Sequence, residues 1–138
     1  MREWIRRLLT GSTGETAAAD GRGQRGRQAE ELACRHIRRR GGRVAARNWR
    51  CPAGEVDLIV VDRQALAFVE VKSRAATEFG RPAEAVHRRK RRKLEQLALL
   101  YCRQQKIDPP EIRFDIFEVV WSEPPAVEWT RGAWLAGE

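Results

Sequence analysis

Hydrophobic and polar positions follow two different periods along the chain, and each change of period marks an element. Residues 26–40 carry apolar side chains at helical spacing and end at Gly41-Gly42, which predicts a helix. The apolar runs 54–61 and 66–72 are separated by a short polar turn, a pattern that is typical of a β-hairpin.

The remaining segments complete an α/β order. Strands are predicted at 43–50 and 111–120, a long helix at 82–105, and a short edge strand at 126–130. A helix, three strands, a second helix and one or two strands are typical of an α/β sandwich with a mixed sheet.

The first 24 residues differ from the rest. Residues 1–10 fit a short amphipathic helix that docks either on the domain or on a partner, and the Gly-rich stretch 11–24 fits a flexible linker. We therefore predict one domain at 25–138, including a C-terminal edge segment. The chain shows neither a secretory signal nor an apolar run of membrane-spanning length, so we expect a cytoplasmic protein.

The charge of the chain is strongly uneven. Residues 1–110 carry 25 Arg or Lys against 13 Asp or Glu, a net charge of +12, whereas residues 111–138 carry 2 against 6, a net charge of −4. Such a basic surface attracts nucleic acid. Arg outnumbers Lys by 23 to 4, and a GC-rich genome alone would also favour that bias. The three cysteines have no paired spacing and are expected to be free thiols.

Charged residues interrupt the two apolar strands of the hairpin. Strand alternation places Val56, Leu58 and Val60 on one face of the first strand and Glu55, Asp57 and Ile59 on the other. On the second strand it places Phe68, Glu70 and Lys72 together. Two carboxylates on neighbouring strands suit a hard divalent cation. The alternative is an edge hairpin with one polar face and a Glu–Lys pair.

Each of the two predicted helices also carries a charged residue within its apolar stripe. At about 100° per residue, Glu30 falls within the apolar stripe of the first helix, whereas Glu31 falls on the opposite side with Arg35. Lys90 falls within the stripe of the second helix. The polar side of that helix holds an arginine cluster that suits a phosphate backbone or, alternatively, a solvated face: Arg88, Arg89, Arg91 and Arg92.

These residues resemble a known family. The similarity spans roughly residues 25 to 121 and rests on Gly54-Glu55-Val56-Asp57-Leu58-Ile59, Phe68-Val69-Glu70-Val71-Lys72-Ser73-Arg74, Ala29-Glu30, Lys90 and Arg113-Phe114-Asp115. The pattern is similar to the YraN family of bacterial proteins. That family is similar to archaeal Holliday-junction resolvases, within the PD-(D/E)-x-K nuclease-like superfamily. The resemblance implies that residues 25–138 form a nuclease-like domain, a restriction-endonuclease-like sandwich with a mixed central sheet flanked by helices. It also implies a site of Glu30, Asp57, Glu70 and Lys72, and a homodimer.

The leading hypothesis is a nuclease that hydrolyses DNA phosphodiester bonds, on branched or recombination DNA. Glu30, Asp57 and Glu70 would hold Mg²⁺ or Mn²⁺, and Lys72 would orient the attacking water or stabilise charge on the phosphate. The residues expected to contact flanking phosphates are Lys90, Arg74, Arg88, Arg89, Arg91 and Arg92. The alternatives are a non-catalytic nucleic-acid-binding or accessory module and a protein-interaction adaptor. Neither a membrane nor a small-molecule substrate is implied.

Overall fold

A computed structural model of the chain describes residues 2–10, 23–78 and 87–138. The described residues form three α-helices and five β-strands. They are α1 (Glu3–Thr10), α2 (Gln24–Arg39), β1 (Arg43–Cys51), β2 (Gly54–Asp62), β3 (Ala65–Ala75), α3 (Arg88–Gln105), β4 (Glu111–Trp121) and β5 (Ala126–Trp134). A 3-10 turn at Ala76–Glu78 follows β3.

The predicted elements are all present, with shifted bounds. Helix α2 begins two residues before the predicted start, and the edge strand β5 extends to Trp134. Two predicted parts lie outside the described residues, namely 11–22 of the linker and 82–86 of the second helix. The described part of that helix begins at Arg88, after an extended His87, and not at the predicted start.

The strands form one mixed sheet in the order β1-β2-β3-β4-β5. The pairs β1–β2, β2–β3 and β4–β5 are antiparallel, and β3–β4 is parallel. A parallel pair requires a crossover connection, and α3 lies within the segment that makes it. The α/β sandwich with a mixed central sheet is thereby confirmed.

Helices cover both faces of the sheet. On one face, Ala33 and Ile37 of α2 pack in a cluster with Leu58, Val60 and Phe117. On the other face, a second cluster joins α1 and α3 to the sheet through Trp4, Leu8, Leu94, Leu97, Ile59 and Phe68. Of the two roles predicted for α1, the structure shows docking on the domain. Trp4 and Leu8 are buried, and the Arg7 side chain donates a hydrogen bond to the Lys106 carbonyl oxygen at 2.6 Å.

The prediction that Val56, Leu58 and Val60 share one face of β2 is wrong. Leu58 and Val60 face α2, but Val56 joins Ile59 and Val61 in the cluster on the α3 side. The alternation breaks at Asp57, opposite Asn48, which has a φ of 51°. A left-handed residue inside a strand changes the side-chain direction, and Asn adopts this conformation more readily than most residues.

No helix in the described part of the chain is long and apolar enough to cross a membrane.

The cysteines are free thiols, as predicted: Cys34 and Cys102 are buried, and Cys51 is half-buried. Burial, with a smaller contribution from the Asp108 carboxylate, raises the pKa of the Cys102 thiol from 9.0 to about 11.

Above pH 9 the unfolded chain therefore loses the Cys102 thiol proton before the folded chain does. We expect the melting temperature to fall between pH 9 and pH 11, and to fall less steeply in Cys102→Ala. Equal falls in the two proteins would contradict this expectation.

Candidate active site

The central sheet forks at one end, and the fork creates the candidate site. The pairing of β2 with β3 stops at Leu58↔Val69, although β2 continues to pair with β1 as far as Gly54 and β3 with β4 as far as Ala75. The start of β2 and the end of β3 therefore diverge. Asp57 lies where they separate, and its Oδ2 accepts a hydrogen bond of 2.8 Å from the Val71 N–H.

A cavity of about 350 Å³ occupies this fork. Its lining comes from the start of α2, the two diverging strands and the first turn of α3: Gly26, Ala29, Glu30, Glu55, Asp57, Glu70, Val71, Ser73 and Lys90. Four carboxylates therefore face one space. Cations contact these carboxylates: Lys90 pairs with Glu70, and Arg50 Nε lies 3.3 Å from Glu55 Oε2. The site is thus acidic within a chain of net charge +8.

The helical-stripe prediction distinguishes the two glutamates of α2 correctly. Glu30 is 1% exposed and lines the cavity. Glu31 is partly exposed and pairs with Arg35 at 3.7 Å and with Arg47 at 3.1 Å. A buried carboxylate is expensive to desolvate unless it has a compensating partner, so the position of Glu30 marks the cavity as a polar site.

Lys72, predicted to be catalytic, and Lys90, predicted to contact a flanking phosphate, have different positions relative to the cavity. Lys90 lines the cavity, and its Nζ forms an ion pair with Glu70 Oε1. Lys72 is half-buried on β3, two residues after Glu70, and is not among the described residues that line the cavity. Ser73 is the β3 residue beyond Val71 that does so.

The arginines predicted to contact nucleic acid also divide into two groups. Arg88, Arg89 and Arg92 are exposed on the first turns of α3. Arg91 is half-buried, with its guanidinium 5.4 Å from the centre of the Trp134 ring. Arg74 is also half-buried, and its Nη2 lies 3.0 Å from Glu118 Oε1. Of the arginines predicted to contact nucleic acid, the exposed ones are therefore Arg88, Arg89 and Arg92, on the helix that brings Lys90 to the cavity.

The chemistry of the donor set fits a hard divalent cation. The cavity offers carboxylate oxygens, and no Cys or His is among the described residues that line it. Across residues 2–10, 23–78 and 87–138, no group of three or more His, Cys, Asp or Glu is placed to hold an ion by itself. Mg²⁺ nevertheless fits such a site, because it keeps several waters and often uses only one or two carboxylates together with substrate phosphates.

Sequence reasoning missed two polar residues of the cavity, Glu55 and Ser73. Strand alternation places Glu55 on the same face as Asp57, and its position two residues before Asp57 is the signal that could have identified it. Ser73 carries no signal of this kind, because an isolated Ser near a strand end is common. Its position depends on the divergence of the two strands.

A second group of buried charges lies beyond the candidate site, between β2, β4 and β5. Asp115 accepts hydrogen bonds from Arg113 Nε and Nη2, each at 2.8 Å, and Asp62 accepts one from Arg113 at 2.9 Å and one from Arg131 at 2.8 Å. Burial lowers the pKa of Arg113, but the bonds to Asp115 and Asp62 outweigh burial and raise it above its ordinary value. This group ties the edge strand to the sheet.

Comparison with known proteins places the chain. Residues 29–119 match the profile described as "Uncharacterised protein family UPF0102" and include Glu30, Asp57, Glu70, Lys72 and Lys90. A UPF0102 protein of Solibacter usitatus is 47% identical over 110 residues, covering 78% of this chain and 83% of the relative. One from Nocardia farcinica is 50% identical over 95 residues (69% and 75%). One from Pseudomonas aeruginosa is 40% identical over 116 residues (81% and 93%). The YraN resemblance is thus confirmed, and the chain belongs to the UPF0102 family.

Proposed function

We propose that this protein is a metal-dependent nuclease that hydrolyses DNA phosphodiester bonds. The observation that carries the proposal is the cavity itself, in which four carboxylates line one space within a strongly basic protein. A cavity of this charge would repel a phosphate, whereas the exposed arginines of α3 would attract one. A divalent cation between the carboxylates and the phosphate would remove this repulsion, so that the same nucleic acid could contact both the cavity and the arginines.

Each residue of the site has a role in this proposal. Asp57 and Glu70, on the two diverging strands, would hold the cation, and Glu30 would complete its shell directly or through water. When bound, the cation supplies charge stabilisation and an activated water for attack on phosphorus. Lys72 would steady the developing negative charge from the end of β3. Arg88, Arg89 and Arg92 would hold the flanking phosphates, and branched DNA is the proposed substrate class.

A second candidate function is a non-catalytic nucleic-acid-binding module. Two observations on the described residues favour it. No three carboxylates among them are placed to hold an ion by themselves, and the cavity lining does not include Lys72. A module of this kind would bind through the arginines of α3 and would not need a cation.

One assay distinguishes the two candidates. The purified full chain is incubated with single-stranded, duplex, flap and four-way DNA, and with matched RNA, in Mg²⁺, Mn²⁺ or a chelator. The nuclease proposal expects cleavage of at least one substrate in the presence of either ion, and none in the presence of the chelator. Binding without cleavage of any substrate, and no melting shift on adding either ion, would favour the binding module.

Glu30 and Glu31 are expected to respond differently to the same substitution. Glu30→Gln should reduce the melting shift that Mn²⁺ produces, because it removes a carboxylate charge from the cavity. Glu31→Gln should leave that shift unchanged and alter the free energy of unfolding by at most about 1 kcal/mol, because its ion pairs with Arg35 and Arg47 are partly exposed. Melting curves with and without Mn²⁺ measure both effects, and equal responses would remove Glu30 from the site.

The arginines of α3 should govern the salt dependence of binding. Each phosphate contact on duplex DNA contributes about 0.9 to the slope of log affinity against log salt concentration. The triple variant Arg88→Ala, Arg89→Ala, Arg92→Ala is therefore expected to reduce the slope by about one to three units in fluorescence-anisotropy titrations. A triple variant of exposed arginines at the end of α2 (Arg38, Arg39 and Arg40) loses the same charge and is the control. Equal slopes for the two variants would show that the α3 arginines make no specific contact.

A further inference from the structure

The buried carboxylate of Glu70 has an internal counter-ion. Lys90 reaches it from the first turn of α3, and its Nζ pairs with Glu70 Oε1. The Glu70 side chain is 9% exposed, whereas that of Lys90 is 54% exposed. The pair therefore joins an enclosed carboxylate to an ammonium group that extends in from the surface.

The position of Lys90 conflicts with metal binding at Glu70. The ammonium occupies an acceptor site on Glu70 Oε1, and its positive charge opposes the approach of a divalent cation to the same carboxylate. The lysine ammonium is a compact charge on a flexible four-carbon stem, and more than half of this side chain is already in solvent. Lys90 can therefore leave Glu70 by side-chain rotation alone.

We propose that Lys90 and the divalent cation compete for Glu70, and that binding of the cation releases Lys90 to contact a phosphate of the nucleic acid. This inference rests on the proposed function and adds a coupling between its two ligands. Before the cation binds, Lys90 partly neutralises the cavity. After it binds, the freed ammonium lies beside the exposed Arg88 and Arg89, where it adds to the phosphate-binding surface. Because binding linkage is reciprocal, the nucleic acid in turn strengthens binding of the cation.

The competition is tested by measuring Mn²⁺ affinity of the full chain by calorimetry without nucleic acid. Lys90→Ala is expected to bind Mn²⁺ about threefold to fivefold more tightly than the wild type, the change that corresponds to the loss of a partly exposed ion pair. Lys90→Arg keeps the charge and should retain the weaker affinity. Lys93→Ala removes the same charge from an exposed position on the same helix and controls for the general field of the protein.

The release is tested with a short duplex DNA and Ca²⁺, a hard cation that also takes oxygen ligands. Adding Ca²⁺ should tighten duplex binding by the wild type more than by Lys90→Ala, because only the wild type gains a freed ammonium. Circular dichroism confirms that each variant is folded. An equal gain for the two proteins would overturn the second half of the inference.

The outcomes separate this inference from the proposed function. If the wild type cleaves DNA with Mn²⁺ and Lys90→Ala binds Mn²⁺ no more tightly than Lys93→Ala, the competition is overturned and the nuclease proposal stands. If Lys90→Ala binds Mn²⁺ more tightly but the wild type cleaves nothing, the competition is supported and the nuclease proposal fails. If no variant binds Mn²⁺, both fail.

Discussion

Asp57→Ala and Glu70→Ala are each expected to abolish Mg²⁺-dependent cleavage while leaving DNA binding in metal-free buffer intact or tighter. The reason is that each carboxylate attracts the cation and repels the phosphate. Substitutions in the outer shell of metal sites commonly reduce metal affinity or activity by about 10-fold to 100-fold, so loss of a direct ligand should exceed 100-fold. Cleavage rates and anisotropy titrations in the presence of a chelator measure the two effects separately.

Glu111→Ala is the matched control for these variants. Its carboxylate is exposed at the start of β4, at the opposite end of β3 from the fork, so the substitution removes the same charge without touching the cavity. Melting curves must accompany each variant, because the cavity carboxylates repel one another without a cation and their removal changes stability. Asp57→Ala and Glu70→Ala proteins that are folded and still cleave at the wild-type rate would show that the cavity is not the active site.

Asp115→Ala is expected to lower the free energy of unfolding by about 3–5 kcal/mol, the usual effect of removing one partner from a buried ion pair. Asp115 is fully buried and accepts four hydrogen bonds: two from Arg113, one from the Trp129 indole and one from the Gly132 N–H. Ala would remove the acceptor of the Trp129 indole and of the Gly132 N–H. Of its two carboxylate partners, Arg113 would keep only Asp62. For a chain of this size we expect a fall in melting temperature of about 10–20 °C.

Two further variants make the effect of Asp115 specific. Asp115→Asn keeps one acceptor oxygen, so its free energy of unfolding should lie between those of Asp115→Ala and the wild type. Glu111→Ala removes an exposed carboxylate from the same strand and should change stability by less than about 0.5 kcal/mol. Urea unfolding measures all three. A loss below about 1 kcal/mol in Asp115→Ala would show that the charge cluster does not hold β5 on the sheet.

The candidate site was predictable wherever a single element determined the direction of a side chain. Glu30 could be separated from Glu31 because neighbouring residues on a helix point about 100° apart, and only one direction meets the apolar stripe. Strand alternation was less reliable. Asn48 of β1 has a left-handed conformation, and the alternation of β2 breaks at Asp57, the residue opposite it. As a result, Val56 lies on the same side of the sheet as Ile59, where strict alternation would place it on the other side.

By itself, the sequence determined the order of helices and strands, the inward position of Glu30 and the basic surface. Each of these depends on local periodicity or on composition, which tertiary contacts did not override. Only the tertiary structure decided which lysine enters the cavity, because that depends on where β2 and β3 separate and on where α3 begins. Lys72 follows Glu70 by two residues in the chain, yet Lys90, from the helix packed on the same sheet, is the lysine paired with Glu70. The Lys90 side chain is long enough to reach from α3 to β3, and the spacing of residues along the sequence does not show that these two elements lie within its reach.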